Sequence, residues 1–227
     1  MRLKQLALLL LLLFLNCADT QVDNNVRVLV TGTVLDQNDI PIYNANVKIV
    51  TDANSNGALP VLLAEGLGDV SGNFEIISLF GSNNLFYIEI SADGYSTYTY
   101  RTNTSEFRPE DLIFNLGDIT LKKLSKFNYT ITRESSLGTT LDFSLSYITP
   151  TCIQVFDEGV LNTNESFCFE ENFIARTLND NFPDIANRSF FVGLGDIVKF
   201  TYGVNGGVEQ EDILTINSED YVFEFTY

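Results

Sequence analysis

The chain has 227 residues with 30 acidic and 13 basic side chains, giving a formal charge of −17. Such a surface is repelled by phosphate backbones and anionic lipid heads, which makes nucleic acid a poor partner. The chain has no histidine, which excludes every Ser-His-Asp or Cys-His triad and every His-containing zinc site; an enzyme could still use paired carboxylates.

Met1 to Gln5 is a short basic start, and LALLLLLLFL (6–15) is an unbroken apolar run. This is the build of a secretory leader; the run is too short for a membrane span, which needs about 20 apolar residues. The run ends in Leu15-Asn16-Cys17-Ala18, followed by a polar stretch. A cysteine directly after the apolar run resembles the lipobox of bacterial lipoproteins. That resemblance implies that residues 1–16 are a signal peptide and that Cys17 is lipidated, with 17–25 as a flexible tether. The other reading is an ordinary secreted protein with a leftover thiol. Loss of Arg2 and Lys4 with the leader would take the charge from −17 to −19.

Beyond the tether, short segments rich in Val, Ile, Thr, Tyr and Phe alternate with Gly, Pro, Asn and Asp turns. This pattern predicts an all-β protein, and the length suits two consecutive β-sandwich domains, expected over 26–123 and 124–227. In the first half, strands are expected at 26–35, 45–51, 72–80, 85–92 and 111–123, with turns at 36–41 and 93–94. TDANSNGALPVLLAE (51–65) starts like a calcium loop with Asp52, Asn54, Asn56 and Gly57, but its twelfth position is Leu63 and Pro60 lies inside it. It reads as an Asn-rich hairpin loop, and no metal or other cofactor is expected.

Gly32, Val34, Asp36, Pro41, Ala45 and Val47, then Gly68-Asp69 with Gly72-Asn73-Phe74, then Asp93-Gly94-Tyr95 and Gly117 to Leu121 occur in order. Together they resemble the carboxypeptidase-regulatory-like domain, a transthyretin-like β-sandwich, over about 28–122. The resemblance implies an accessory or binding module without catalytic residues. YSTYTY (95–100) offers tyrosines that could stack on sugars, against packing within a strand.

Past the basic link Lys122 to Lys126, strands are expected at 127–133, 139–148, 151–156, 165–171, 189–194, 196–204, 212–218 and 221–227, with a helical turn or loop over 170–182. No family is recognised here, and an immunoglobulin-like sandwich is the default. Its charged spots (Asp157-Glu158, Glu170-Glu171, Glu209, Glu211-Asp212, Glu219-Asp220) read as solvated loop ends. If Cys152 faces Cys168, alternation puts Ile153, Val155, Phe167 and Phe169 on a core face and Cys152, Gln154, Ser166 and Cys168 on a polar one. Export would supply the oxidising compartment for a Cys152–Cys168 disulfide. Two free buried thiols, or a thiolate metal pair, are the rivals. The expectation is therefore a non-enzymatic, lipid-anchored lipoprotein of the outer membrane or cell surface that binds or assembles with envelope proteins or glycan. The alternatives are a secreted accessory protein binding glycan or peptide, and a carboxylate-based hydrolase.

Overall fold

The computed structural model describes residues 22–51, 60–81 and 85–227. It is all-β, built as two consecutive sandwiches, and among the described residues no helix is long and apolar enough to cross a membrane. Cys17, the rest of the leader and residues 52–59 of the calcium-like loop lie outside the described residues.

The first unit comprises β1 (Val22–Asp36), β2 (Asn46–Thr51), β3 (Val61–Leu67), β4 (Asn73–Gly81), β5 (Leu85–Ser91), β6 (Tyr98–Asn103) and β7 (Ile113–Leu121). One sheet runs β4-β1-β7, with β1 parallel to β7, and the other contains β3-β2-β5-β6. Alternation on β2, β5 and β6 drives one face of each inward, so Val47, Ile49, Phe86, Ile88 and Ile90 are fully buried against Val30, Phe74 and Phe114. The residues that carry the family resemblance are scaffold. The Asp36 carboxylate accepts from the Asn38 and Ile40 amides at 2.7 and 3.0 Å, closing the turn before Pro41. Gly72 sits at φ 76°, and a Cβ there would lie 2.4 Å from the Val34 carbonyl oxygen, so only glycine fits.

The second unit comprises β8 (Leu124–Thr132), β9 (Leu141–Ile148), a hairpin formed by β10 (Cys152–Asp157), β11 (Val160–Leu161) and β12 (Phe167–Cys168), then β13 (Glu171–Leu178), β14 (Ile185–Gly193), β15 (Ile197–Val204), β16 (Gln210–Thr215) and β17 (Asp220–Thr226). Its sheets are β14-β8-β17 and β13-β9-β15-β16, with β8 parallel to β17. With the hairpin set aside, both units have one strand order: fourth-first-seventh facing third-second-fifth-sixth. The expected sandwich is there, in the order of the first unit and not the A-B-E-D, C-F-G order of an immunoglobulin constant domain. Its core gathers Phe127, Ile131, Leu141, Leu145, Val198 and Phe200, with the Phe223 and Phe225 rings edge-on to Phe200 at 4.9 and 4.8 Å.

The hairpin does not belong to the sandwich that surrounds it in sequence. β10 lies parallel to β6 and extends the first unit's second sheet, and Cys152 joins the first core with Phe156, Cys168 and Phe169 packed against it. Buried residues fall into two clusters, one drawn from Val28 to Leu121 together with Cys152 and one from Phe127 to Ile216, so residues around 152–168 pack with the first cluster and not with their sequence neighbours. Two further expectations differ. β3 forms where a loop was read; VLLAEGL lacks clean alternation because it is an edge strand, half-buried at most. The 170–182 segment holds strand β13, another edge strand paired along its whole length with β9.

A candidate binding cleft walled by the inserted hairpin

Cys152 stands opposite Cys168 in the β10/β12 ladder, and their sulfur atoms are bonded. The faces of the hairpin follow the alternation argument only in part: Val155 is buried and Phe169 packs against the first core as expected, but the cysteine and Phe167 are reversed. Cys152 is 6% exposed and faces the first core, whereas Phe167 is 40% exposed. The cause is the neighbouring strand. Cys152, Gln154 and Phe156 register with Tyr98, Tyr100 and Thr102, the inward-facing set of β6. A strand added to an existing sheet must follow that sheet's faces, whatever its own polarity pattern suggests. The hairpin turns at Glu158-Gly159 with φ of 51° and 80°, between the paired Asp157 and Val160. Two consecutive positive φ values in a two-residue loop are the mark of a type I′ turn.

This geometry makes a cleft of about 340 Å³ at the end of the first sandwich, between β6 with the added β10 and the start of β7. The Tyr100 ring stacks on Phe156 at 4.5 Å and meets Phe114 edge-on at 5.9 Å; Phe107 meets Phe114 edge-on at 6.2 Å. The Gly159 turn lies against Phe107 so closely that a Cβ would fall 2.6 Å from the ring. Polar groups at the wall are Gln154, Asn115 and the tyrosine hydroxyls. The Tyr98 hydroxyl donates to Gln154 Oε1 at 2.7 Å. The Tyr100 residue is only 8% exposed, and its hydroxyl, which bonds no described residue, is not among the fully buried unpaired atoms and so keeps access to open space. Burial raises both phenol pKa values, Tyr98 well above the usual range and Tyr100 to about 12, so both remain neutral donors near neutral pH. Among the described residues, no charged side chain lines the cleft.

The tyrosines considered for sugar stacking are thus placed differently. Tyr98 and Tyr100 are buried and β6 is covered by β10, leaving Tyr95 half-buried at the junction of the units, bridged to Lys123. Among the described residues, no group of three or more Cys, Asp or Glu is placed to hold a metal. Three residues of the acidic spots have local tasks: Asp157 accepts from Asn162 at 2.6 Å, Glu171 from the Ser146 hydroxyl, and Glu219 pairs with Lys123 at 2.6 Å. Phe107 and Phe156 were not singled out in the sequence. Their role depends on a strand from the second half reaching the first, and nothing local in either segment signals that.

No family model matches the chain, and no curated protein matches it. Solved structures that align with it include the Bacillus anthracis TIE protein, at 15% identity and TM-score 0.33, covering 89% of this chain and 34% of that one. A Streptococcal ancillary pilin aligns at 10% identity and TM-score 0.33, covering 89% and 63%. The shaft pilin SpaA of Lactobacillus rhamnosus GG, as a D295N mutant, aligns at 7% identity and TM-score 0.32, covering 88% and 98%. The chain therefore spans about a third and under two thirds of the first two proteins, and likenesses at these scores carry no argument about function.

Proposed function

We propose that the chain is an exported lipoprotein held on a membrane through Cys17, presenting two tandem sandwiches for a non-catalytic binding or assembly role at the cell envelope. The observation that carries this reading is the junction itself: a basic start, the apolar run 6–15, then Cys17 and a polar stretch leading into β1. Several acyl chains, each burying CH₂ groups at about 0.8 kcal/mol apiece, would make the attachment stable. The first sandwich is read as a carboxypeptidase-regulatory-like module. Its resemblance-bearing residues serving as turn and core scaffold support that reading, and the common strand order of the two units supports extending it to the second. A binding role draws support from the neutral aromatic cleft.

The test is fractionation of cells expressing the wild type and Cys17→Ser, with mass analysis of the N-terminal peptide. Acylated Cys17 and loss of membrane attachment in Cys17→Ser are expected. A wild type that is soluble and free of lipid would transfer the case to the secreted accessory protein.

A further inference from the structure

We infer that the cleft between β6, β7 and the inserted hairpin binds an uncharged aromatic ring that carries a hydrogen-bond acceptor. The proposal deepens the binding half of the reading above and is independent of the anchor.

Three observations meet there. The first is shape: about 340 Å³ is within the range of small-ligand sites, roughly 300–1,000 Å³, and the walls are aromatic rings already set in stacked and edge-on pairs. A further ring enters this arrangement with the same offset or edge geometry that the walls use among themselves. The second is charge. The protein carries −17, yet among the described residues no Asp, Glu, Lys or Arg lines this cleft. A carboxylate or phosphate ligand would find no counter-charge and would be opposed by the protein's overall field, while a neutral ligand loses little on leaving water. The third is the Tyr100 hydroxyl, the accessible end of a residue only 8% exposed, with no hydrogen bond to a described residue. Its oxygen is not among the fully buried unpaired atoms of the described residues, so it keeps access to open space, and the open space that Tyr100 borders is the cleft, where a ligand acceptor can take its hydrogen bond. Tyr98, two residues away and facing the same side, is already committed to Gln154. The site is composite: Gln154, Phe156 and Gly159 come from the second unit's hairpin, so the cleft exists only when the hairpin is docked.

The probe is para-fluorobenzamide, titrated into the full chain carrying Cys17→Ser and followed by fluorine NMR. Saturable binding is expected, about tenfold weaker in Tyr100→Phe, the loss of one hydrogen bond. Tyr100→Phe removes a hydroxyl without a partner, so its thermal unfolding should match the parent and any loss of binding is not misfolding. Para-fluorobenzoate should bind far more weakly, as should cyclohexanecarboxamide used as a competitor. N-acetyltyrosine amide separates the sources of such a ring: tighter binding than the benzamide assigns it to a polypeptide side chain, weaker binding to a free small molecule. No saturation in the folded chain, equal affinity for benzoate or for the saturated ring, or no change in Tyr100→Phe would overturn the proposal. None of these outcomes depends on whether Cys17 is acylated.

Discussion

The Lys122 ammonium lies 2.9 Å from both carboxylate oxygens of Asp196, 74 residues away. Lys122 directly follows β7 of the first unit, and Asp196 sits in the β14–β15 turn of the second. Phe169, just past the hairpin, lies under the same ammonium at 5.0 Å. Both charged side chains are only about one fifth exposed, at 19% and 20%. Three parts of the molecule therefore meet at one cation, beside backbone bonds from Leu124 to Gly94 and from Leu194 to Lys123 at 2.8 and 2.7 Å. In a double-mutant cycle with Lys122→Met and Asp196→Asn, urea unfolding should give a coupling of about 1 kcal/mol, above that of an exposed pair. Each single change should cost more than the coupling, because it leaves the other group partly buried and unpaired.

The Cys152–Cys168 bridge closes a segment with a sequence separation of 16. Replacing both residues with alanine should lower stability by about 3 kcal/mol in the chain-entropy view of cross-linking. Mass spectrometry of the unreduced native protein should find no alkylatable thiol at 152 or 168; two reactive thiols there would remove the basis for the stability claim.

Cutting the chain after residue 123 leaves β6 with an uncovered edge and strips Cys152, Phe156, Cys168 and Phe169 from the first core. A fragment of residues 22–123 should be less stable than the same unit in the full chain and should self-associate, because an open strand edge is a template for pairing. Sedimentation and urea unfolding decide it. A monomeric fragment with the full chain's stability would show that the hairpin contributes nothing.

How far the sequence disclosed this arrangement varied with the distance over which information had to travel. The turns at Asp36 to Pro41 and at Gly72 were legible because a side chain and its own backbone carry the whole signal. Strands with one buried face, such as β2 and β5, announced themselves by alternation. β3 and β13 did not, since an edge strand with little burial has no strong pattern to show. The opposition of Cys152 and Cys168 could be read from their spacing, but the direction of their faces could not. That direction is set by Tyr98 and Tyr100, about fifty residues earlier. The cleft was illegible for the same reason.

Tyr98 and Tyr100 make a matched pair for mutation. Tyr98→Phe removes the bond to Gln154 and should cost about 1 kcal/mol, whereas Tyr100→Phe should leave stability unchanged, since its hydroxyl bonds no described residue. Thermal and urea unfolding of the two variants side by side check the contrast.

Both phenols also set a limit at high pH. Burial raises their folded pKa values above the ordinary value of 10, Tyr100 to about 12. Tyr129, Tyr147 and Tyr227 move in the same direction through burial. The unfolded chain thus releases protons first, so the stability these groups contribute is whole below pH 10 and is lost as the pH rises through their folded values. Unfolding midpoints should hold up to about pH 9.5 and fall steadily above pH 10, less steeply in Tyr100→Phe.

The lending of β10 to β6 also imposes an order of events on biosynthesis. Thr102 on β6 and Phe156 on β10, joined by a hydrogen bond in the finished protein, are 54 residues apart in the chain. At roughly 5 to 20 residues per second, the sheet that contains β6 waits about 3 to 11 seconds for its last strand to be synthesised. Through that interval the β6 edge, with two half-enclosed tyrosines behind it, is the surface on which a holding chaperone would act or at which neighbouring nascent chains would adhere.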